Sequence, residues 1–150
     1  MIMNRLIFTL LLLLPAVAPA QNGSPELQKT LEAAYNTWRD AMMRADAVAW
    51  AAAITQYRQV MVRNQIVSER RSFPGSVFEV PVTPPDLKGL RLLEAQAAGT
   101  TAHLVYFGPV DMGQDVEKIP DNILKLKFGF ENGRWKYDSN RFVSMDHVPE

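Results

Sequence analysis

The sequence contains no cysteine, although it is 150 residues long. Disulfide bonds are therefore excluded, and so is a lipoprotein anchor, which requires a lipid-modified cysteine. There is also no excess of charge of one sign, because 16 lysine and arginine residues balance 16 aspartate and glutamate residues. A nucleic-acid-binding domain typically carries a basic excess or a basic stripe. We therefore expect no nucleic-acid partner.

Long apolar runs are scarce, and the clearest one lies at the N-terminus. Arg5 precedes the apolar run Leu6–Leu14, and Ala18–Ala20 has the small-x-small pattern that signal peptidase recognises. The run is shorter than the ~20 apolar residues that a membrane-spanning helix needs. We predict a signal peptide at residues 1–20 and an exported protein, periplasmic or secreted, with no membrane span. A single domain is expected at residues 21–150.

The motifs of several enzyme and metal-binding classes are also missing. The sequence has no phosphate-binding P-loop, no G-x-G-x-x-G, no G-x-S-x-G and no H-E-x-x-H. Four acidic residues fall in one predicted loop, but their spacing does not match an EF-hand: Asp111, Asp115, Glu117 and Asp121. His147 has no second histidine or cysteine near it in the sequence. We therefore expect no metal and no cofactor.

The clearest structural signal is a β-hairpin near the C-terminus, over residues 123–145. Asn132-Gly133 favours a two-residue type I′ turn, because both residues tolerate positive φ. Apolar and polar residues alternate on both sides of the turn, which is typical of half-buried strands. The resulting register pairs Phe128 with Tyr137 on an apolar face.

Extending the same register outward gives a first candidate for ligand binding. It predicts that Lys127 lies opposite Asp138, and that Ser139 and Arg141 continue the apolar face. An arginine on that face could hold an anionic ligand group. The alternative is that Arg141 reaches solvent at the strand end or pairs with a carboxylate of a helix.

Three helices are predicted before the sheet. Ser24, Asp46 and Thr55 are expected as N-caps, and Pro25 suits the first helical position. The third helix is expected to end at about Val67. The apolar residues at helical spacing in the first helix are Leu27, Leu31, Ala34, Trp38, Ala41 and Ala45. The predicted apolar contacts of the third helix are Tyr57, Val60, Met61 and Ile66.

Extended structure is predicted between the helices and the hairpin. Prolines confine residues 77–82 to an edge strand or an extended arm. A second hairpin follows, in which Leu90–Ala97 pairs with Thr100–Phe107 around a turn at Ala98-Gly99. Helices followed by antiparallel strands indicate an α+β fold with the helices on one face of the sheet.

The chain resembles the nuclear transport factor 2-like superfamily, which has a cystatin-like α+β fold. The residues that carry the resemblance are Leu31, Tyr35 and Trp38 in the first helix, Asp46, Ala49 and Trp50 at the second, and the hairpin segment Phe128–Asp138. The resemblance implies N-terminal helices packed on a curved, mostly antiparallel sheet that forms a cone. It also implies a pocket at the open end of the cone and frequent homodimers through the outer sheet face.

The superfamily includes isomerases and dehydratases of the ketosteroid isomerase and SnoaL-like kind, together with many non-catalytic members. The enzymes place aspartate, histidine or tyrosine inside the cone. Here the predicted inward positions of the last hairpin are mainly leucine, phenylalanine, tryptophan and tyrosine. This composition favours a non-catalytic member, since a fold alone does not supply an activity.

Glu94 and His103 are the best acid–base candidates in the sequence. The predicted register of the second hairpin places them opposite each other, where the carboxylate could orient the imidazole and raise its pKa. The alternative is a polar pair on the outer face of the sheet. Gln96 and Thr101 share that face, which favours the alternative.

Aromatic residues and one arginine are the candidates for a ligand pocket. The candidate pocket residues are Trp38, Tyr57, Tyr106, Phe128, Tyr137 and Arg141. The alternative is that the aromatic side chains fill the core. We expect a homodimer, for which Leu92, Val105 and Phe107 would provide an apolar patch.

Three functional hypotheses follow. The first is a non-catalytic domain that binds a small apolar or amphipathic ligand or serves as a dimeric interaction module. The second is an isomerase- or hydratase-like enzyme acting on a small apolar substrate, with Tyr137, Arg141 or the Glu94–His103 pair as its polar groups. These two differ in whether two or more titratable groups converge inside the cone. The third is a purely structural partner protein, which predicts a filled cone and an exposed apolar patch.

Overall fold

The computed structural model describes residues 23–80, 83–110 and 119–144. These residues form α1 (Pro25–Met43), α2 (Ala47–Ala53), α3 (Gln56–Ser68), a short 3-10 helix (Gly75–Phe78), β1 (Arg91–Ala98), β2 (Thr101–Val110), β3 (Ile119–Glu131) and β4 (Arg134–Ser144). The four strands form one antiparallel sheet in the order β1-β2-β3-β4. The predicted α+β class is confirmed. The predicted signal peptide at 1–20, the loop acids Asp111, Asp115 and Glu117, and His147 lie outside the described residues.

Each of the three α-helices begins at the capping residue that the sequence predicts. The side chains of Ser24, Asp46 and Thr55 accept hydrogen bonds from the backbone N–H three residues on, at 3.0, 2.9 and 3.2 Å. Each bond satisfies one N–H that has no partner within its helix. Pro25 occupies the first turn of α1, and α3 ends at Ser68.

The apolar stripe of α1 faces the core. Its fully buried members are Leu27, Leu31, Tyr35 and Ala41, and they pack with Leu104, Leu124, Leu126 and Phe128 from the sheet. Ala34 and Trp38 are half-buried against this core. Ala45, predicted as part of the stripe, lies beyond the end of α1 with a φ of 52° and is exposed.

The predicted apolar contacts of α3 are mostly wrong. Ile66 is buried, but Tyr57, Val60 and Met61 are 66%, 45% and 46% exposed. The helix starts at the outer edge of β4, where the backbone N–H of Thr55 donates to the backbone oxygen of Tyr137 at 3.0 Å. Because α3 starts at an edge of the sheet, only a narrow side of the helix faces the core.

The proline-containing connection is held against α1. The Tyr35 hydroxyl donates to the backbone oxygen of Pro85 at 2.7 Å, and the Arg39 guanidinium donates to that of Pro84 at 3.0 Å. The predicted edge strand or arm at 77–82 instead begins as the 3-10 helix Gly75–Phe78, and residues 81–82 lie outside the described chain.

The β3–β4 hairpin has the predicted turn and the predicted inner register. Asn132 and Gly133 adopt φ values of 52° and 76°, as a type I′ turn requires. Phe128 pairs with Tyr137, as predicted.

Beyond that pair the predicted register is wrong, because β4 contains a β-bulge at Asp138. Lys127 pairs with Ser139 rather than with Asp138, and Arg141 pairs with the exposed Lys125. The extra residue reverses the alternation of the outer half of β4. Asn140 therefore takes the face that the sequence assigns to Ser139 and Arg141.

The second hairpin also turns one residue later than predicted. Its turn residues are Gly99 and Thr100, and Gly99 has a φ of 58°, which glycine adopts without strain. In this register His103 lies opposite Gln96, whereas Glu94 lies opposite Val105.

A further irregularity near Leu93 divides the predicted dimer patch. Leu92 pairs with Tyr106, and Arg91 pairs with Phe107. Because neighbouring residues of a strand point to opposite faces, Leu92 shares the face of buried Tyr106 while Val105 and Phe107 lie on the other. The three residues do not form one patch.

Candidate ligand cavity

A cavity of about 320 Å³ lies between α1, α3, the 3-10 helix and β4. Small-molecule sites span roughly 300–1,000 Å³, so this one suits a small ligand. Its apolar lining includes Trp38, Met42, Trp50, Ile54, Tyr137 and Phe142. Its polar lining includes Arg58, Gln65, Glu69, Arg71 and Asn140.

Two stacked aromatic rings form one wall of the cavity. The ring centroids of Trp38 and Tyr137 are 4.0 Å apart, with 26° between the ring planes. Tyr35 supports Tyr137 edge-on from the core, with its centroid 5.6 Å away. Tyr35 is fully buried and hydrogen-bonded to Pro85, so it gives the Tyr137 side of the wall a firm support.

The β-bulge places a polar side chain, Asn140, beside this aromatic wall. The Tyr137 hydroxyl donates to the side-chain oxygen of Asn140 at 2.6 Å. Residues three apart in a regular strand point to opposite faces, but the extra residue Asp138 brings these two to the same side.

The Tyr137 hydroxyl is a neutral hydrogen-bonding group. Burial, followed by the neighbouring Tyr35, raises the pKa of Tyr137 well above its ordinary value. The charge of Arg58 opposes this rise in the pKa. The phenol therefore stays protonated at physiological pH.

The charges at the cavity mouth differ in how well they are compensated. Arg71 donates to Glu79 at 2.7 Å and to Glu69 at 3.5 Å. The bond to Glu79 raises the pKa of Arg71, and the same bond lowers the pKa of Glu79. Within the described part of the chain, the guanidinium of Arg58 forms no ion pair with a carboxylate.

Two of the six predicted pocket residues, Trp38 and Tyr137, line this cavity. Phe128 is fully buried in the core, and Tyr57 is 66% exposed. The Tyr106 hydroxyl donates to Glu32 of α1. None of these three residues lines the cavity, and neither does Arg141, which is exposed on the face of Lys125.

The structure does not pair Glu94 directly with His103. The two residues lie on the same face of the sheet but diagonally, and that face does not line the cavity. Glu94 does act to raise the pKa of His103, but burial first, then Lys125 and Lys127, outweighs it, and the pKa is lowered.

Arg58, Gln65 and Asn140 are among the polar lining residues that the sequence did not suggest. Asn140 became a cavity residue through the bulge, which strand alternation does not predict. The sequence did indicate where Arg58 lies along the chain fold, because it follows the Thr55 N-cap by three residues and so falls in the first turn of α3. Among the described residues, no group of three metal-binding side chains comes together.

Comparisons with protein-family models, curated proteins and solved structures gave no match to this chain. The nuclear transport factor 2-like resemblance therefore stays a prediction. In the described residues, every helix is too short or too polar to cross a membrane.

Proposed function

We propose that this chain is an exported, non-catalytic domain that binds a small apolar or amphipathic molecule in the cavity beside β4. The observation that carries the proposal is the stacked Trp38–Tyr137 wall, which is held in place by Tyr35 and opens towards a polar mouth. Apolar walls with a few oriented polar groups are typical of ligand sites.

The titratable groups of the cavity support binding rather than acid–base catalysis. Among the described lining residues, Glu69 supplies the one carboxylate, and the Arg71 guanidinium pairs with it at 3.5 Å. Tyr137 has a raised pKa, so its proton is not readily transferred near neutral pH. Glu94 and His103 lie on the sheet away from this cavity.

A cone-shaped domain of the nuclear transport factor 2-like kind is part of the same proposal. Helices over one face of an antiparallel sheet support it, and so do the irregularities in all three strand pairings. Bulges of this kind bend and twist a sheet. A small-angle X-ray scattering profile incompatible with a compact cone would oppose this part of the proposal.

The test of ligand binding uses N-phenyl-1-naphthylamine, a neutral aromatic probe whose fluorescence rises in apolar surroundings. We expect saturable binding at one site per chain. Trp38→Ala is expected to weaken the affinity about tenfold, or about 1.4 kcal/mol, because it removes half of the stacked wall.

Trp135→Ala is the matched control for that variant. Trp135 is another half-buried tryptophan, but it packs on Phe130 at the hairpin tip and does not line the cavity. We expect it to leave the probe affinity unchanged. No saturable binding to the wild-type protein, or equal losses in both variants, would overturn the proposal. Native mass spectrometry of the exported protein would then identify the mass of a natural ligand.

A homodimeric interaction module is the second candidate, favoured by the exposed apolar side of α3. Tyr57, Val60 and Met61 lie three and four positions apart and therefore share one side of the helix. If this side contacts a second copy, Met61→Glu will convert a dimer into a monomer in sedimentation velocity. A monomeric wild-type protein would remove this candidate.

A further inference from the structure

The charged residues that line the cavity are Arg58, Arg71 and Glu69, two cations and one anion. Arg71 is engaged by Glu69 and by Glu79, which does not line the cavity. Arg58 also lines the cavity, and no carboxylate of the described chain pairs with it. One arginine without an ion-pair partner among the described residues therefore lines a cavity that has an aromatic wall.

The position of Arg58 is fixed by the structure beneath it. Its backbone N–H donates to the Thr55 hydroxyl at 3.2 Å, and that hydroxyl donates to the buried Asp138 at 2.7 Å. The first turn of α3 is thus attached to β4. From this anchored turn, Arg58 lines the cavity.

Neutral hydrogen-bonding groups accompany this charge. Gln65 and Asn140 line the same cavity, and the Gln65 amide already donates one N–H to Glu69 at 3.2 Å, which leaves its second N–H for a ligand. The Asn140 oxygen is used by the Tyr137 hydroxyl, so its NH₂ group remains the end that can donate to a ligand oxygen. Guanidinium and amide donors together match a carboxylate or a sulfonate better than a neutral group.

We propose that the ligand is an anionic amphiphile with a flat apolar body on the Trp38–Tyr137 wall and one acidic group bound by Arg58. This inference rests on the proposed ligand-binding function and adds the charge class of the ligand. The cavity volume of about 320 Å³ limits that ligand to roughly the size of two or three fused or linked rings.

A pair of probes separates the two proposals. 1-Anilinonaphthalene-8-sulfonate and N-phenyl-1-naphthylamine share the same aromatic skeleton, but only the first carries a negative charge. We expect the folded wild-type protein to bind the sulfonate at least about tenfold more tightly than the neutral probe. The preference should shrink as salt is added, because Arg58 is open to solvent.

Arg58→Gln is expected to abolish this preference, measured as the ratio of the affinities for the two probes in the same variant. Arg58→Lys keeps the charge but loses the planar donor fork, so it should retain only part of the preference. Arg63→Gln is the matched control, because it removes the same charge from an exposed position of α3 outside the cavity.

Each outcome is decisive. Equal affinities for the two probes, or a preference that survives in Arg58→Gln, would overturn the anionic ligand while leaving the cavity as a binding site. An equal loss of preference in Arg63→Gln would also overturn it, since a general charge effect would then suffice. Failure of both probes to bind would instead overturn the proposed function. Urea unfolding curves of every variant verify that the folded protein is compared.

Discussion

The Thr55 hydroxyl donates a hydrogen bond of 2.7 Å to the carboxylate of Asp138, although 83 positions separate the two residues. The same oxygen accepts a backbone N–H from the first turn of α3, at 3.2 Å. A hydroxyl can serve as donor and acceptor at once, and here both roles are filled. The Thr55 hydroxyl oxygen therefore contributes both to helix capping and to the attachment of α3 to the sheet.

Replacing Thr55 with alanine is expected to destabilise the protein by about 2 kcal/mol. Loss of an N-cap costs about 1 kcal/mol, and loss of a donor to a buried carboxylate adds a similar amount. Thr55→Ser should restore most of this, because it keeps the hydroxyl. The free energy of unfolding in urea is the measurement. Thr37→Ala, at an exposed position of α1, is the control and should change it by less than about 0.5 kcal/mol.

Gly129 is expected not to tolerate a side chain. A Cβ built there would lie 2.8 Å from the Cγ2 methyl of Thr55, a distance at which one of the two must move. Gly129→Ala should therefore cost about 1–3 kcal/mol in urea unfolding. Gly75→Ala is the control, since nothing lies within 4 Å of its added Cβ.

The double variant Gly129→Ala with Thr55→Ser separates the steric contact from other effects of alanine at this position. Serine keeps the hydroxyl but lacks the methyl, so the cost of Gly129→Ala should be smaller in the Thr55→Ser background than in wild type. An equal cost in both backgrounds would contradict the assigned clash.

Acidification is expected to destabilise the folded state through His103. Its pKa is lowered in the folded protein, by burial first and by Lys125 and Lys127 next. The unfolded chain therefore binds a proton at a higher pH than the folded chain does, and stability rises with pH across the interval between the two pKa values. That interval lies at and below about 6.5, the ordinary histidine pKa.

An NMR titration of the imidazole measures this shift directly. The pKa of His103 should lie below that of the urea-unfolded chain, and Lys125→Gln should raise it. In His103→Gln the free energy of unfolding should fall less between pH 7 and pH 5 than in wild type. A folded-state pKa above the unfolded value would reverse the sign and refute the account.

Arg141 offers a test of the observed register against the register expected from sequence. It lies opposite Lys125 on the exposed sheet face, and like charges directly opposite each other are destabilising. Arg141→Gln should therefore stabilise the protein by a few tenths of a kcal/mol, up to about 1. It should leave the affinity for the sulfonate probe unchanged. A loss of that affinity would favour the unshifted register, which turns Arg141 towards the apolar face.

Local signals predicted much of the fold. The three N-caps, the Asn132-Gly133 turn and the Phe128–Tyr137 pair each depend on residues close in sequence or on one strong turn preference. Such features are decided by backbone chemistry within a few residues. The α+β class then followed from the order of the elements.

The candidate site was less predictable, because it depends on distant contacts. The bulge at Asp138 is stabilised by Thr55 from the other half of the chain, and no residue close to it in sequence predicts it. Exposure of Tyr57 likewise follows from where α3 meets the sheet edge, not from the composition of the helix. The sequence pointed to Trp38 and Tyr137 because they are large aromatic residues, and such residues line cavity walls as well as fill cores.

The bulge also determines what kind of sequence change alters this cavity. Deleting Asp138 would remove the extra residue but keep Ser139 opposite Lys127, so Asn140 and Phe142 would stay on the inner face. If Asp138 instead took a regular place in the ladder, Ser139 and Arg141 would replace Asn140 and Phe142 on that face. A neutral amide and an aromatic ring would then give way to a hydroxyl and a cation with no change in composition. The backbone geometry at one residue of β4 therefore sets the polarity of the cavity as directly as any substitution within it.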